Sequence, residues 1–218
     1  MKRNVYFVSG TGTGIGKSYA TGYIAGIWNR MGIRTITQKF IQTGNTGISE
    51  DIELHRRIMG CPLLPEDIQK LTMPEIFSYP CSPHLASRID GRSIDFEKIK
   101  RCTDILSGRF DRVLIEGAGG LMVPLTETLL TIDYVKRENF PLILVAPSVL
   151  GSINHILLSL EAVAARGIKL YAFAYNLFEN EGMEDERIKK DTRNYISGYL
   201  EKYFPDTIFM DIPALELR

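Results

Sequence analysis

The stretch Val5-Tyr6-Phe7-Val8-Ser9, followed by Gly10-Thr11-Gly12-Thr13-Gly14-Ile15-Gly16-Lys17-Ser18, decides how the rest of the chain is read. A β-branched and aromatic run that breaks into a glycine-rich turn ending in Gly-Lys-Ser, with a helical pattern behind it, is written for holding phosphate. Glycines let successive backbone N–H groups turn toward an anion, and the helix that follows adds the positive end of its dipole. Lys17 is placed to reach the β- and γ-phosphates of a nucleotide, and Ser18 to offer its hydroxyl to Mg²⁺. The loop is one residue longer between Gly10 and Gly16 than the usual P-loop. A dinucleotide fingerprint requires Gly-x-Gly-x-x-Gly, which the alternation Gly10, Gly12, Gly14, Gly16 does not provide.

Working outward, Tyr19, Ile24, Ile27, Trp28 and Met31 fall near a helical period, and Gly32 ends that helix. Residues 35–41 read as a second strand, with Gly44, Asn45 and Gly47 marking a long loop. Ser49-Glu50-Asp51 opens a helix through Met59, and Gly60 stops it. Residues 61–95, punctuated by Pro62, Pro65, Pro74, Pro80 and Pro83, read as irregular surface substructure rather than sheet. Within them, Ser82-Pro83 opens a short helix carrying His84. Beyond lie a helix over 94–106, a strand over 112–116 that breaks into Gly117-Ala118-Gly119-Gly120, and a non-alternating strand over 141–146. A helix over 152–166, a strand over 170–176, a helix over 184–203 and a short strand over 208–210 complete the reading.

Strands alternating with helices imply right-handed crossovers and an α/β fold, a doubly wound, mostly parallel sheet with helices on both faces, here one domain over residues 1–218. In such a sheet ligands gather at the carboxyl ends of the strands, which makes residues there the site candidates. Lys17, Ser18, Lys39 with Thr43 behind it, and Glu116 meet that condition. An unpaired Glu116 so near the core would cost several kcal/mol unless a cation or hydrogen bonds compensate it. Mg²⁺ held with Ser18 would do so. Asp51 reads either as a further ligand or as an ordinary acidic residue near a helix start. Gly151-Ser152-Ile153-Asn154 reads either as an anion site suited to a carboxylate or as an ordinary capped helix start. His55, His84 and His155 share no metal spacing and are read as incidental.

Lys+Arg and Asp+Glu both number 26, so no overall charge argues for nucleic acid. Cys61, Cys81 and Cys102 form no Cys-x-x-Cys pair and read as buried thiols in a reducing compartment. No apolar run approaches the ~20 residues of a membrane span, and the start of the chain carries no signal-peptide pattern. A cytoplasmic protein is expected. Two phosphate-reaching lysines, a hydroxyl and a carboxylate for metal, and a separate carboxylate site together describe a nucleotide-using enzyme acting on a small acid.

Several segments in order resemble the dethiobiotin synthetase family, the ATP-dependent carboxylases that close the ureido ring in biotin synthesis. They are residues 6–18, Lys39 with Thr43-Gly44, Ser82-Pro83-His84-Leu85-Ala86, Glu116-Gly117-Ala118-Gly119-Gly120 with Pro124-Leu125, and Leu150-Gly151-Ser152-Ile153-Asn154-His155. The longer phosphate loop is itself a mark of that family. The resemblance implies a P-loop NTPase-like fold and the joining of CO₂ to an amine of 7,8-diaminononanoate. The resulting carbamate takes the γ-phosphate of ATP, and the second amine then displaces phosphate.

Carried over residue by residue, the resemblance implies ATP on Gly12, Thr13, Gly14, Ile15, Gly16, Lys17, Ser18 and Tyr19, with Asn176 reading the base. Mg²⁺ would lie on Ser18, Asp51 and Glu116. Thr13, Lys39, Thr43, Gly119 and Gly120 would surround the diamine and carbamate, with Lys17, Lys39 and Thr13 as the catalytic set. The substrate carboxylate would rest on Gly151, Ser152, Ile153 and Asn154 of a second subunit with Tyr195 beside it, so a homodimer is expected, and neither nucleic acid nor membrane as partner.

The chain departs from the family in Gly12 and Gly14, where polar residues are usual, and in Ser18, where Thr is. Relatives continue past the Ile-Pro segment with residues that enclose the base, whereas this sequence stops at Arg218, so weak discrimination among nucleoside triphosphates is expected. The rival from another class is a non-catalytic nucleotide switch of the partition and cell-division ATPase type. Those carry a second lysine within the phosphate loop, and here none precedes Lys17.

Overall fold

The computed structural model describes residues 4–177 and 186–214. Six parallel strands form the sheet, in the order β2 (Thr35–Lys39), β5 (Arg112–Gly120), β1 (Val5–Gly10), β6 (Leu142–Pro147), β7 (Leu170–Asn176) and β8 (Ile208–Ile212). Every residue of β1 is buried, as a strand covered on both faces must be. Alternation sorts its side chains. Val5 and Phe7 face a core shared with α5 (Phe96–Arg109), α6 (Thr131–Glu138), α7 (Ser152–Ala165) and α8 (Glu186–Tyr203). Tyr6 and Val8 face the core under α1 (Lys17–Arg30), where Ile24 and Trp28 pack. The doubly wound arrangement is therefore present, with β1 at its centre.

Local signals account for several boundaries. In α2 (Glu50–Met59), the Ser49 hydroxyl caps the Ile52 N–H, and Gly60 ends the helix in a left-handed conformation at φ 71°. A short helix, α3 (Pro65–Ile68), begins with proline at its first position, as does α4 (Pro83–Ile89).

Residues 61–95 are more ordered than their prolines suggested. Besides α3 and α4 they contain β4 (Ile76–Phe77), which pairs in parallel with β3 (Gln42–Thr43) as a separate two-stranded sheet. The same segment covers the open edge of β2, since Lys39 N–H donates to Thr72 O over 2.7 Å and Gln42 N–H to Glu75 O over 2.9 Å. Covering an edge strand removes unpaired backbone groups that would otherwise invite another chain. Three further differences stand out. The second strand stops at Lys39 rather than 41; β5 runs on through its glycines to Gly120; and α6 lies in a stretch given no element. The helix start expected at 184 lies outside the described residues, among which α8 runs Glu186–Tyr203. Cys102 is buried while Cys61 and Cys81 are half-buried, and all three are free thiols.

Candidate active site

The carboxyl ends of β1, β2 and β5 open into a cleft of about 380 Å³, within the usual range for a small-ligand site. Between β1 and α1 the loop reaches the helix through Gly14 and Gly16, both left-handed at φ 73° and 84°. A Cβ at Gly16 would overlap the Asn176 carboxamide, so only glycine fits there. Thr13, Gly14, Gly16, Lys17, Ser18 and Tyr19 all line the cleft. Ile15 instead packs its side chain over Gly10. Lys17 Nζ donates to Gly12 O over 2.8 Å, and burial pushes its ammonium below the usual lysine value, with Glu116 opposing that shift and Lys39 adding to it.

Lys39 and Glu116 face each other in register across β2 and β5. Lys39 Nζ donates to Glu116 Oε1 over 2.8 Å and also pairs with Asp51 Oδ2. Burial alone would lower the Lys39 pKa, but the two carboxylates overcome it and hold the ammonium above its ordinary value. Burial likewise works against ionised Glu116, only 1% exposed, yet Lys39 and the His55 hydrogen bond hold it well below the carboxylate range. Ser18 Oγ lies 2.7 Å from Asp51 Oδ1 and 2.9 Å from Glu116 Oε1. Its one proton serves a single acceptor at a time.

Three oxygen donors of hard character thus converge beside the phosphate loop, the set Mg²⁺ prefers when phosphate oxygens and water complete its shell. Among the described residues no group of three or more His, Cys, Asp or Glu is arranged for a metal.

Thr43 and Gly119 also line the cleft. Thr13, Thr43 and Gly119 also line an adjoining hollow of about 420 Å³ walled by Pro80, Cys81, Ser82 and Pro83, so the two spaces share a border. Gly120 lies against main chain, where an added Cβ would come within 3.3 Å of Gly10 O.

Not every predicted residue gathers here. Asn176 donates from Nδ2 to Ile15 O over 3.0 Å, at the back of the phosphate loop. Gly151, Ser152, Ile153, Asn154 and Tyr195 do not line the cleft of this chain. Gly151 starts α7 in a left-handed conformation, and the Ser152 hydroxyl just inside it is buried with no hydrogen-bond partner among the described residues. Tyr195 is exposed on α8. The expectation about the base pocket falls on residues 215–218, outside those described.

One histidine is not incidental. His55 is fully buried, with Nε2 2.6 Å from Glu116 Oε2 and Nδ1 3.0 Å from Thr37 Oγ1. The sequence held a signal for it, since His55 follows Asp51 by one helical turn and so shares its face of α2.

A glycine-rich loop between a buried parallel strand and a helix, with Lys and Ser at the helix start, defines a P-loop NTPase-like protein. Solved structures agree on that class. The chain resembles the signal recognition particle receptor FtsY from Elizabethkingia anophelis at TM-score 0.57 and 15% identity, over 99% of this chain and 60% of that one. It resembles a ParA family ATPase from Chlorobium tepidum TLS at TM-score 0.51 and 16% identity, over 98% and 86%. At such identities the likeness is one of fold.

Sequence relatives go further. A family model described as an AAA domain matches residues 4–216. The ATP-dependent dethiobiotin synthetase BioD 2 of Pasteurella multocida is 46% identical over 205 residues, 94% of this chain and 95% of that protein. The ATP-dependent dethiobiotin synthetase BioD of Chlorobaculum tepidum is 48% identical over 218 residues, 100% of this chain and 88% of the relative. This chain belongs to the dethiobiotin synthetase family.

Proposed function

We infer that this protein is an ATP-dependent dethiobiotin synthetase, a ligase of biotin biosynthesis that builds a cyclic urea from a diamine and CO₂ with ATP as co-substrate. Beyond the family relationship, the observation that carries the reading is a shared border. Lys17, Lys39, Thr13 and Gly119 line the phosphate cleft, and Thr13 and Gly119 also wall the adjoining hollow, so a phosphoryl group and a carbamate can meet between them.

In this reading one amine of 7,8-diaminononanoate bonds to CO₂ and loses a proton, giving a carbamate. A carbamate oxygen then attacks the γ-phosphorus as ADP leaves. The second amine adds to the carbonyl carbon of that mixed anhydride, phosphate departs, and the ring closes. Negative charge accumulates beside a polyphosphate in both phosphate steps, so the site needs fixed cations more than an acid–base pair. Lys17 serves the β- and γ-phosphates. Lys39, held charged by Glu116 and Asp51, serves the carbamate oxygens. Gly12, Thr13, Gly14, Ile15, Gly16, Ser18 and Tyr19 form the nucleotide side; Thr43, Gly119 and Gly120 form the diamine side. Ser18, Asp51 and Glu116 would hold Mg²⁺, which when bound neutralises phosphate charge.

The substrate carboxylate is assigned to the start of α7 in a second subunit, at Gly151, Ser152, Ile153 and Asn154, with Tyr195 beside it. Two features support this: the first turn of a helix carries the positive end of its dipole and attracts a carboxylate, and the Ser152 hydroxyl is buried without a partner among the described residues. The protein then works as a homodimer of single-domain chains, in the cytoplasm. No helix among the described residues is long and apolar enough to cross a membrane. The ParA-like fold carries no switch function by itself. The deciding experiment is a phosphate-release assay with ATP, CO₂ and the diamine. Release that depends on the diamine is expected, and release no greater than a blank lacking it would overturn the reading.

A further inference from the structure

Behind the cleft a chain of buried polar groups ends on Glu116. Asp67 grips Arg56 through both carboxylate oxygens, each at 2.8 Å, and is itself held by Thr72 Oγ1 and the Leu64 N–H, each at 2.7 Å. Arg56 Nη1 donates to Thr37 Oγ1 over 2.8 Å, and Thr37 Oγ1 lies 3.0 Å from His55 Nδ1. Direction follows from what each group can do. A guanidinium only donates, so Thr37 Oγ1 accepts from Arg56, and an ionised carboxylate only accepts, so His55 Nε2 carries the proton that reaches Glu116 Oε2 over 2.6 Å.

The arrangement divides the two oxygens of Glu116. Oε2 is occupied from behind, while Oε1 points at Ser18 Oγ and Lys39 Nζ, 2.9 and 2.8 Å away. Rotation of the carboxylate would break the bond to His55, which is itself fully buried, and a hydrogen bond lost there is costly.

We propose that His55 is a positioning residue for the Mg²⁺ site: oriented by Thr37 and Arg56, it binds Glu116 Oε2 and so holds Oε1 toward the cation position beside Ser18. This rests on the reading of Glu116 as a metal ligand. Outer hydrogen bonds to a metal-binding group commonly carry about 10- to 100-fold in metal affinity.

The test is Mn²⁺ binding, followed by its paramagnetic resonance signal, to the full chain with a non-hydrolysable ATP analogue. His55→Ala, His55→Gln, Thr37→Val and Glu116→Gln are compared, with thermal melts as a check on folding. His55→Ala is expected to weaken Mn²⁺ by about 10-fold or more, Thr37→Val to weaken it less, and His55→Gln to recover part of the loss because its amide can reach Glu116. Affinity for the analogue in chelator should stay at the wild-type value. Unchanged Mn²⁺ affinity in the His55 and Thr37 variants, with Glu116→Gln impaired, overturns the proposal and leaves the metal reading standing. Unchanged affinity in Glu116→Gln removes the metal reading and the proposal with it. Equal loss of metal-free analogue binding makes His55 merely structural. Should His55→Ala fail to fold, His55→Gln and Thr37→Val decide by the same criteria.

Discussion

Lys39 and Glu116 are register partners on adjacent parallel strands, and their side chains close a buried ion pair of 2.8 Å that lines the cleft beside the phosphate loop. Neither charge would survive so near the core alone. Together with Asp51 and Lys17 they give the cleft two cations and two carboxylates, a balance that an incoming polyphosphate and metal must rearrange. The first prediction concerns this pair. Lys39→Ala should lower turnover by ~10² or more, since it removes a charge that faces the developing anion. It should also lower thermal stability, because Glu116 loses its closest cation. A diamine-dependent phosphate-release assay near the wild-type rate would show that Lys39 stabilises no transition state.

Gly16 combines a left-handed backbone at φ 84° with a Cβ position already filled by the Asn176 carboxamide. Gly16→Ala therefore displaces the phosphate loop or breaks the Asn176–Ile15 hydrogen bond. We predict at least ~10-fold weaker ATP binding, equal to about 1.4 kcal/mol, measured with a fluorescent nucleotide. Adding Asn176→Ala relieves the overlap but leaves the backbone strain, so recovery should be partial. Full recovery would mean the strain is unimportant.

Ser152 lies at the proposed carboxylate site. Its buried hydroxyl has no partner among the described residues, and such a group costs folding energy on the order of 1 kcal/mol. Ser152→Ala should leave the melting temperature unchanged or raised, while the KM for the diamine rises and kcat changes little. A fall in stability with an unchanged KM would show the hydroxyl to be structural.

Arg56 and Asp67 form the second buried pair. Burial raises the Asp67 pKa, but the Arg56 hydrogen bond and charge outweigh it and leave the carboxyl below its usual value. A depressed folded value means stability that is present above the unfolded carboxylate value, about 4, and lost as pH falls below it through the folded value. Denaturant titrations between about pH 6 and 3 should show this loss in wild type and a flatter profile in Asp67→Asn. Arg56→Ala should cost about 3–5 kcal/mol at neutral pH, because it leaves Asp67 buried and unpaired. A loss under ~1 kcal/mol, as for a surface pair, would contradict the buried geometry.

What the sequence revealed about this fold divides by range. The strand-loop-helix from Val5 to Ser18 carries its own punctuation, and the Ser49 cap and Gly60 stop of α2 do the same within a few residues. Lys39 could be placed because it ends β2, and Glu116 because it follows the apolar triplet Val113 to Ile115, although β5 runs four residues beyond it to Gly120. His55 could not, because its meaning depends on Glu116, 61 positions away, and on Thr37, 18 positions away. The two-residue strands β3 and β4 are too short for any period to announce, and Pro74 and Pro80 on either side of β4 argued against sheet. Helix α6 was missed for a similar reason, since at eight residues it is barely two turns long. The start of α7 was visible only as a helix start, and the unpartnered Ser152 hydroxyl is a fact of packing that no spacing displays.

One contact joins the two halves of the chemistry. Gly120 at the end of β5 pairs with Gly10 at the end of β1, and a Cβ added at Gly120 would stand 3.3 Å from Gly10 O, closer than most such contacts. The phosphate loop leaves the sheet at one glycine, and the wall proposed for the diamine ends at the other. Any displacement that filling the loop transmits to that wall is mutual by thermodynamic linkage: whatever factor ATP imposes on diamine affinity, the diamine imposes on ATP.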